Sequence, residues 1–158
     1  MHLETTRFGT LEIDESAILT FTQPIIGFQA YRRFVLLDQT DDGKVFWLQS
    51  TDTGDLAVVL MDPRSVRPDY DIGRRKGDLV ELAADSVDDL DVYTLVVVTE
   101  SPRQVRTNLK APILIHRAQR LAKQTILDDN DYPVQFVLTP PQDSAQTPQE
   151  VSNARANP

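Results

Sequence analysis

Apolar residues in this chain fall in short runs separated by turn residues. "SAILTF" (16–21), "RRFVLLD" (32–38), "KVFWLQS" (44–50) and "LAVVLM" (56–61) are rich in β-branched and aromatic types. "DVYTLVVVTE" (91–100), "PILIH" (112–116) and "VQFVLT" (134–139) continue the series. The Asp-Gly pair of "TDDGK" (40–44) predicts a hairpin turn, and "TDTGD" (51–55) predicts the next. Strands at this spacing with short connections predict a mainly β fold, a small antiparallel β-barrel or roll with one or two short helices.

Two segments break the strand pattern. In "GDLVELAADS" (77–86), Asp78 is followed three residues later by Glu81, an acidic variant of a capping box, which predicts one or two helical turns. "HRAQRLAKQ" (116–124) holds good helix formers and no breaker. Propensity there favours helix, although its place between two strand-like runs also allows a long hairpin loop. Trp47 shares a strand with Phe46 and Leu48 but points to the opposite face, so both faces carry apolar residues. That pattern predicts a core position for Trp47, with an interface as the alternative. From Thr139 onward the composition changes to Pro, Gln and small polar residues. Such a segment buries too little apolar surface to offset chain entropy, so residues 1–138 are expected to form one domain and 139–158 a disordered tail.

The chain has 158 residues, 41% of them apolar, enough for one sizeable core. Its net charge of −8 disfavours phosphate, so direct nucleic-acid binding is not expected. The same field would steer a basic protein partner. There are no cysteines, which excludes disulfides, thiolate metal sites and a Cys nucleophile. The start "MHLETTRFG" lacks the basic and apolar regions of a signal peptide, and the longest apolar run, Leu56 to Met61, is far short of a membrane span. A cytoplasmic protein without membrane contact is expected.

The search for catalytic chemistry returns little. His2 adjoins the start Met, and His116 ends an apolar run, where a hydrogen-bonded structural histidine is the commoner outcome. No ligand spacing supports a metal site, and no nucleophile elbow, phosphate loop or dinucleotide fingerprint occurs. No cofactor is expected. "DSVDDLD" (85–91) and "DDNDY" (128–132) concentrate carboxylates but lack the Gly and terminal Glu of a calcium loop. They read as solvated acidic turns or as docking patches for a basic partner. "RRK" (74–76) is a small basic island without a Gly-rich loop beside it.

The ordered series "TRFG" (6–9), "F…GF" (21–28), "RFVLLD" (33–38), "FWLQS" (46–50), "MDP" (61–63), "PDY" (68–70), "TNLKAPI" (107–113) and "KQTILDDNDYP" (123–133) resembles the FliW family of flagellar assembly factors. The resemblance spans roughly residues 5 to 138. It implies a small antiparallel β-barrel, no enzymatic activity, and two protein partners. One is flagellin. The other is the carbon storage regulator CsrA, a basic RNA-binding dimer whose repression of flagellin translation the family relieves. The chain departs from the family at "FTQPIIGF" (21–28), where Thr22, Pro24 and Ile26 replace a Pro, a Gly and a second Pro. It also has Ala122 where the family often has Gly before Lys-Gln, in a segment the family pattern makes a hairpin.

These readings place the partner contacts on Tyr70, Asn108, Ala111, Pro112, Asp128 and Asp129, on a protein that is monomeric when alone. Asn108 is expected to bond neighbouring backbone amides and hold its turn, and Pro112 to set the exit of the loop. Tyr70 offers an amphipathic ring of the type enriched at interfaces. Two other functions fit the residues: a flagellin chaperone without a regulatory partner, and a small-ligand barrel or enzyme using His116 and Arg117 near a barrel mouth.

Overall fold

The computed structural model describes residues 1–38, 45–100, 102–128 and 131–138. Its longest strand, β7 (Asp91–Glu100), pairs with three neighbours. Along one edge, residues 94–96 pair with β6 (Ala57–Met61). Along the other edge, β9 (Ile113–His116) pairs with residues 91–93, and β8 (Arg103–Thr107) with residues 96–100. From β6 the sheet runs through β5 (Val45–Ser50), β4 (Arg33–Asp38), β3 (Leu19–Phe21) and β10 (Leu121–Gln124) to β9, which closes back on β7. The result is the expected mainly β architecture, a closed barrel of 7 strands. One seam is not antiparallel: β10 lies parallel to β3, with Leu121 opposite Thr20 and Ala122 opposite Phe21. Outside the circuit, β11 (Phe136–Val137) extends β8, and β1 (His2–Thr5) with β2 (Gly9–Glu12) forms a separate hairpin.

Alternation along each strand decides what fills the barrel. Phe21, Phe34, Leu48, Leu60, Ile113, Ile115 and Ala122 are each 0% exposed and point inward. The rings of Phe21 and Phe34 meet edge to face at 5.2 Å, and Phe46 packs on Tyr93 at 4.7 Å. Each fully buried Leu or Phe contributes roughly 1.5–3 kcal/mol, so this interior is the main source of stability.

Two further apolar clusters lie outside the barrel. The hairpin β1–β2 covers β4, with Leu3 and Ile13 against Val35. On another side, the excursion from residue 62 to 90 brings Tyr70, Ile72, Leu82 and Leu90 onto Leu109, Leu114 and Leu127. That excursion contains α1 (Lys76–Glu81).

The structure decides one reading left open by the sequence and corrects two expectations. Residues 116–124 form no helix: β9 and β10 make a hairpin, with His116 opposite Leu121. Ala122 has no part in the turn. It lies on β10 and fills the barrel interior, so the cross-strand contacts of Ala122 and Ile115 override helix propensity. Asp78 does not cap α1. Arg75 holds the N-cap position in a left-handed conformation, φ 52°, without a side-chain cap, and the carboxylates of Asp78 and Glu81 turn toward the barrel instead. A capping box does occur at Ser86 and Asp89, around the 3-10 turn Val87–Asp89. Trp47 is half-buried on the outer wall and not in the core. Phe8 meets its ring at 5.6 Å, and the Arg7 guanidinium lies 4.4 Å above it. The predicted turn at 40–44 and tail at 139–158 lie outside the described residues.

The β1–β2 hairpin is held at one close approach. Thr6 N–H donates to Gly54 O at 3.0 Å, and Thr6 Oγ1 donates to Asp55 at 2.5 Å. A Cβ on Gly54 would stand 1.9 Å from the Glu4 carbonyl oxygen. Gly54→Ala should therefore lift the hairpin, cost about 2 kcal/mol in urea denaturation, and speed proteolysis within residues 1–12. Unchanged stability and cleavage would show that the hairpin is not clamped there.

Candidate partner-binding surface

"TNLKAPI" runs between the two strands that share one edge of β7. Thr107 stands opposite Val96, and Ile113 opposite Tyr93, so the chain between them bulges outward. Asn108 holds the bulge. Its Oδ1 accepts from Lys110 N–H at 3.0 Å and Ala111 N–H at 3.1 Å, the role its residue type predicts. The remaining backbone groups are met from outside. Tyr70 Oη donates to Leu109 O at 2.6 Å, and Gln124 Nε2 donates to Ala111 O at 2.9 Å. Lys110 O and Pro112 O accept from the N–H groups of Leu127 and Thr125, while Leu109 N–H donates to Pro133 O.

This geometry decides what the bulge can present. Ala111 and Pro112 are buried, and Leu109 is fully so. Tyr70 is 2% exposed, stacked at 4.5 Å on the Tyr132 ring. Burial, with Tyr132 beside it, pushes the Tyr70 phenol well above its ordinary pKa, so its hydroxyl remains a donor. Tyr70, Ala111 and Pro112 therefore brace the bulge and expose little of themselves at the surface. Asn108 is half-buried with its acceptor committed inward. Asp128 is exposed; Asp129 lies outside the described residues.

Exposed carboxylates do gather around the outer apolar cluster that braces the bulge. Asp69 and Asp71 flank Tyr70, Asp85 follows Ala84, Asp88 follows Val87, Asp128 follows Leu127 and Asp131 precedes Tyr132. Each of those apolar neighbours belongs to the same cluster. Asp71 N–H donates to Tyr132 Oη at 2.9 Å, and Arg67 lies 5.1 Å above the Tyr132 ring. Sequence reading marked only part of this set, because residues far apart in the chain are assembled by packing. Of the basic island, Arg74 and Lys76 are exposed, whereas Arg75 lies 3.7 Å from Asp78 and donates to Ile126 O.

The same side carries a half-hidden ion cluster that ties α1 to β10. Lys123, its side chain 12% exposed, donates to Asp78 at 2.7 Å and Glu81 at 2.8 Å. Thr22 donates to the other Glu81 oxygen at 2.6 Å, and Thr125 to the other Asp78 oxygen at 2.9 Å. The bonds from Lys123 and Thr22 hold the Glu81 carboxyl below its ordinary value. Burial opposes the Lys123 charge, yet its two carboxylate bonds outweigh that and keep the ammonium above its usual value. His116 Nδ1 donates to Leu82 O at 2.8 Å, fastening the far end of the helix. It is a buried histidine whose ring nitrogen is committed to the fold. Among the described residues, no group of three His, Asp or Glu side chains is placed to hold a metal ion.

The FliW protein family model matches residues 2–138. The chain belongs to the FliW family. A flagellar assembly factor FliW from Caldicellulosiruptor saccharolyticus is 35% identical over 131 residues, 83% of this chain and 86% of that protein. One from Alkaliphilus metalliredigens is 34% identical over 154 residues, 97% of this chain and 93% of that protein. A crystal structure of the flagellar assembly factor FliW superposes with a TM-score of 0.78 at 34% identity, covering 89% of this chain and 98% of the other. The chain is thus a flagellar assembly factor, and the closed barrel is the family's architecture. No helix among the described residues is long and apolar enough to cross a membrane.

Two outcomes follow for this member of the family. Asn108→Ala should cost about 1–2 kcal/mol, since two backbone N–H groups lose their acceptor, and Asn108→Asp should recover most of it. Equal stability of all three proteins in urea would show that the bulge holds itself. Lys123→Met should cost about 3 kcal/mol near neutral pH by removing the cation that both carboxylates share, leaving Asp78 only Arg75 at 3.7 Å. Because the folded-state pKa of Glu81 is lowered, its contribution is complete above the ordinary 4.5 and is lost as pH falls through the lower folded value. The gap between mutant and wild type should therefore narrow in acid, and a gap constant from pH 7 to pH 3 would refute the assignment.

Proposed function

We propose that this flagellar assembly factor acts by binding and not by catalysis, holding flagellin and antagonising CsrA in the cytoplasm. Flagellin synthesis is then coupled to flagellin export: unexported flagellin occupies the factor and leaves CsrA free to repress. The observation that carries this reading is the ring of exposed carboxylates around one apolar cluster, on a chain of net charge −8 that belongs to the FliW family. Three cations of that side are paired, Lys123 and Arg75 with Asp78 and Arg67 with Asp69 and the Tyr132 ring, while Arg74 and Lys76 stay exposed. A basic RNA-binding protein meets an acidic face there, and the same face disfavours RNA phosphate by like charge. The barrel interior is filled by apolar side chains, which speaks against a ligand-holding barrel.

The test is calorimetry with CsrA and monomeric flagellin from the same genome, singly and in competition. Both should bind, and flagellin should displace CsrA. Reversing Asp128 and Asp129 to Lys should weaken CsrA by about tenfold or more and flagellin by less than about threefold, with the CsrA affinity falling as salt rises. Flagellin binding without CsrA binding would reduce the function to that of a chaperone. Binding to neither partner at tens of micromolar would sink the proposal.

A further inference from the structure

One end of the barrel is open between the β9–β10 turn and the 3-10 turn Glu15–Ala17. A cleft of about 170 Å³ enters there, lined by Ala17, Leu19, Leu36, Ile115, Arg117 and Arg120 among others. Its floor is the end of the barrel core: Leu19 is 5% exposed and Ile115 fully buried. Two arginines and no carboxylate are among the residues that line the cleft. Arg117 is fixed in place, donating to Asp91 and, at 3.1 Å, to the Tyr93 hydroxyl. Arg120 is exposed, and its guanidinium has no hydrogen-bond or ion-pair partner among the described residues. Nearby carboxylates are partly committed: Asp91 to Arg117, and Asp14 to Ser16 N–H and Oγ. Glu15 is exposed and keeps the rim from being uniformly basic.

Arg120 is also one of three non-glycine residues at positive φ among the described residues, 57°, in the last position of the turn before β10. A left-handed conformation costs a side-chain-bearing residue stability that glycine would not lose. Strain held at an exposed cation beside an apolar cleft is the arrangement expected where a side chain is kept for a partner and not for the fold. The cleft is smaller than the roughly 300–1,000 Å³ of small-molecule sites, and fits a single side chain.

We propose that this mouth seats one apolar side chain of a partner polypeptide, with Arg120 binding a carboxylate next to it in the partner's chain. The inference rests on the flagellin reading above: the unpaired guanidinium of Arg120 beside the apolar cleft matches a flagellin segment that carries an apolar residue next to Asp or Glu. Flagellin and CsrA would then meet different surfaces of one barrel.

The experiment uses the full chain, monomeric flagellin and CsrA of the same genome, and calorimetry. Arg120→Glu, which reverses the charge, and Ala17→Trp, which fills the cleft, should each weaken flagellin binding by about tenfold or more and CsrA binding by less than about threefold. Arg120→Gly should also weaken flagellin, yet raise the melting temperature by about 2–4 °C as the strain is released. Circular dichroism would establish that each variant is folded. Wild-type affinity for flagellin in folded Arg120→Glu and Ala17→Trp would overturn the mouth site and leave the functional reading intact. Failure of the wild-type chain to bind flagellin would instead overturn the functional reading on which the site rests. A fall in melting temperature for Arg120→Gly would refute the claim that Arg120 is held at the expense of the fold.

Discussion

Closure of this barrel depends on a single edge of β7 being shared between two strands. β8 and β9 are consecutive in the chain and both pair with β7, but not in one register. The chain takes six steps from Thr107 to Ile113 while β7 takes three from Val96 back to Tyr93. The surplus backbone must leave the sheet, and each amide and carbonyl it carries must find a partner off the ladder. Asn108 meets two amides from within the bulge. Tyr70, Gln124 and the backbone of residues 125–133 meet the rest. Without that bracing β9 could not resume on β7, and the circuit from β6 round to β10 would stay open.

The demand for bracing explains the least regular part of the fold. The excursion from residue 62 to 90 contributes no barrel strand, yet it places Tyr70 under the bulge and packs Leu82 and Leu90 on Leu114. It is fixed at two points. His116 takes the Leu82 carbonyl, and Lys123 binds Asp78 and Glu81. Both anchors stand on the β9–β10 hairpin, so the element that closes the barrel also holds its outer layer. A partly desolvated ion cluster adds little net stability compared with an apolar contact of equal size. Its value is geometric, since only one seating of α1 satisfies both carboxylates and both threonines.

The legibility of the sequence follows the range of the interactions concerned. Strands were readable because alternation is local: Phe46 and Leu48 inward, Trp47 outward. The role of Asn108 was readable for the same reason, because an Asx turn involves only its near neighbours. Residues 116–124 were not, since Ala122 is a strand residue only when Phe21 and Ile115 stand beside it. Propensity carries no record of those contacts. The spacing of Asp78 and Glu81 imitates a cap, but Lys123, distant in the chain, takes both carboxylates. Tyr70, Ala111 and Pro112 looked like surface because turns are normally exposed, and here a second layer lies over the turn. The family resemblance identified the protein without locating its contacts, since residues that brace a shared fold recur in it whether or not they touch a partner.

What remains for recognition is what bracing leaves over. Around the outer cluster Lys123 and Arg75 are taken up by Asp78, while carboxylates such as Asp71, Asp88 and Asp128 stay in solvent beside the exposed Arg74 and Lys76. At the barrel mouth Asp91 is committed to Arg117, and the guanidinium of Arg120 is uncommitted beside the exposed Glu15. A chain of net charge −8 would by itself favour every basic partner and discriminate poorly among acidic ones. On the proposed reading, the acidic ring and the arginine at the mouth would let one small protein address two partners of different chemistry. Because the barrel is closed and its interior filled, an effect of one partner on the other would pass through the outer layer that α1 and the bulge hold together, or through direct overlap of the bound proteins.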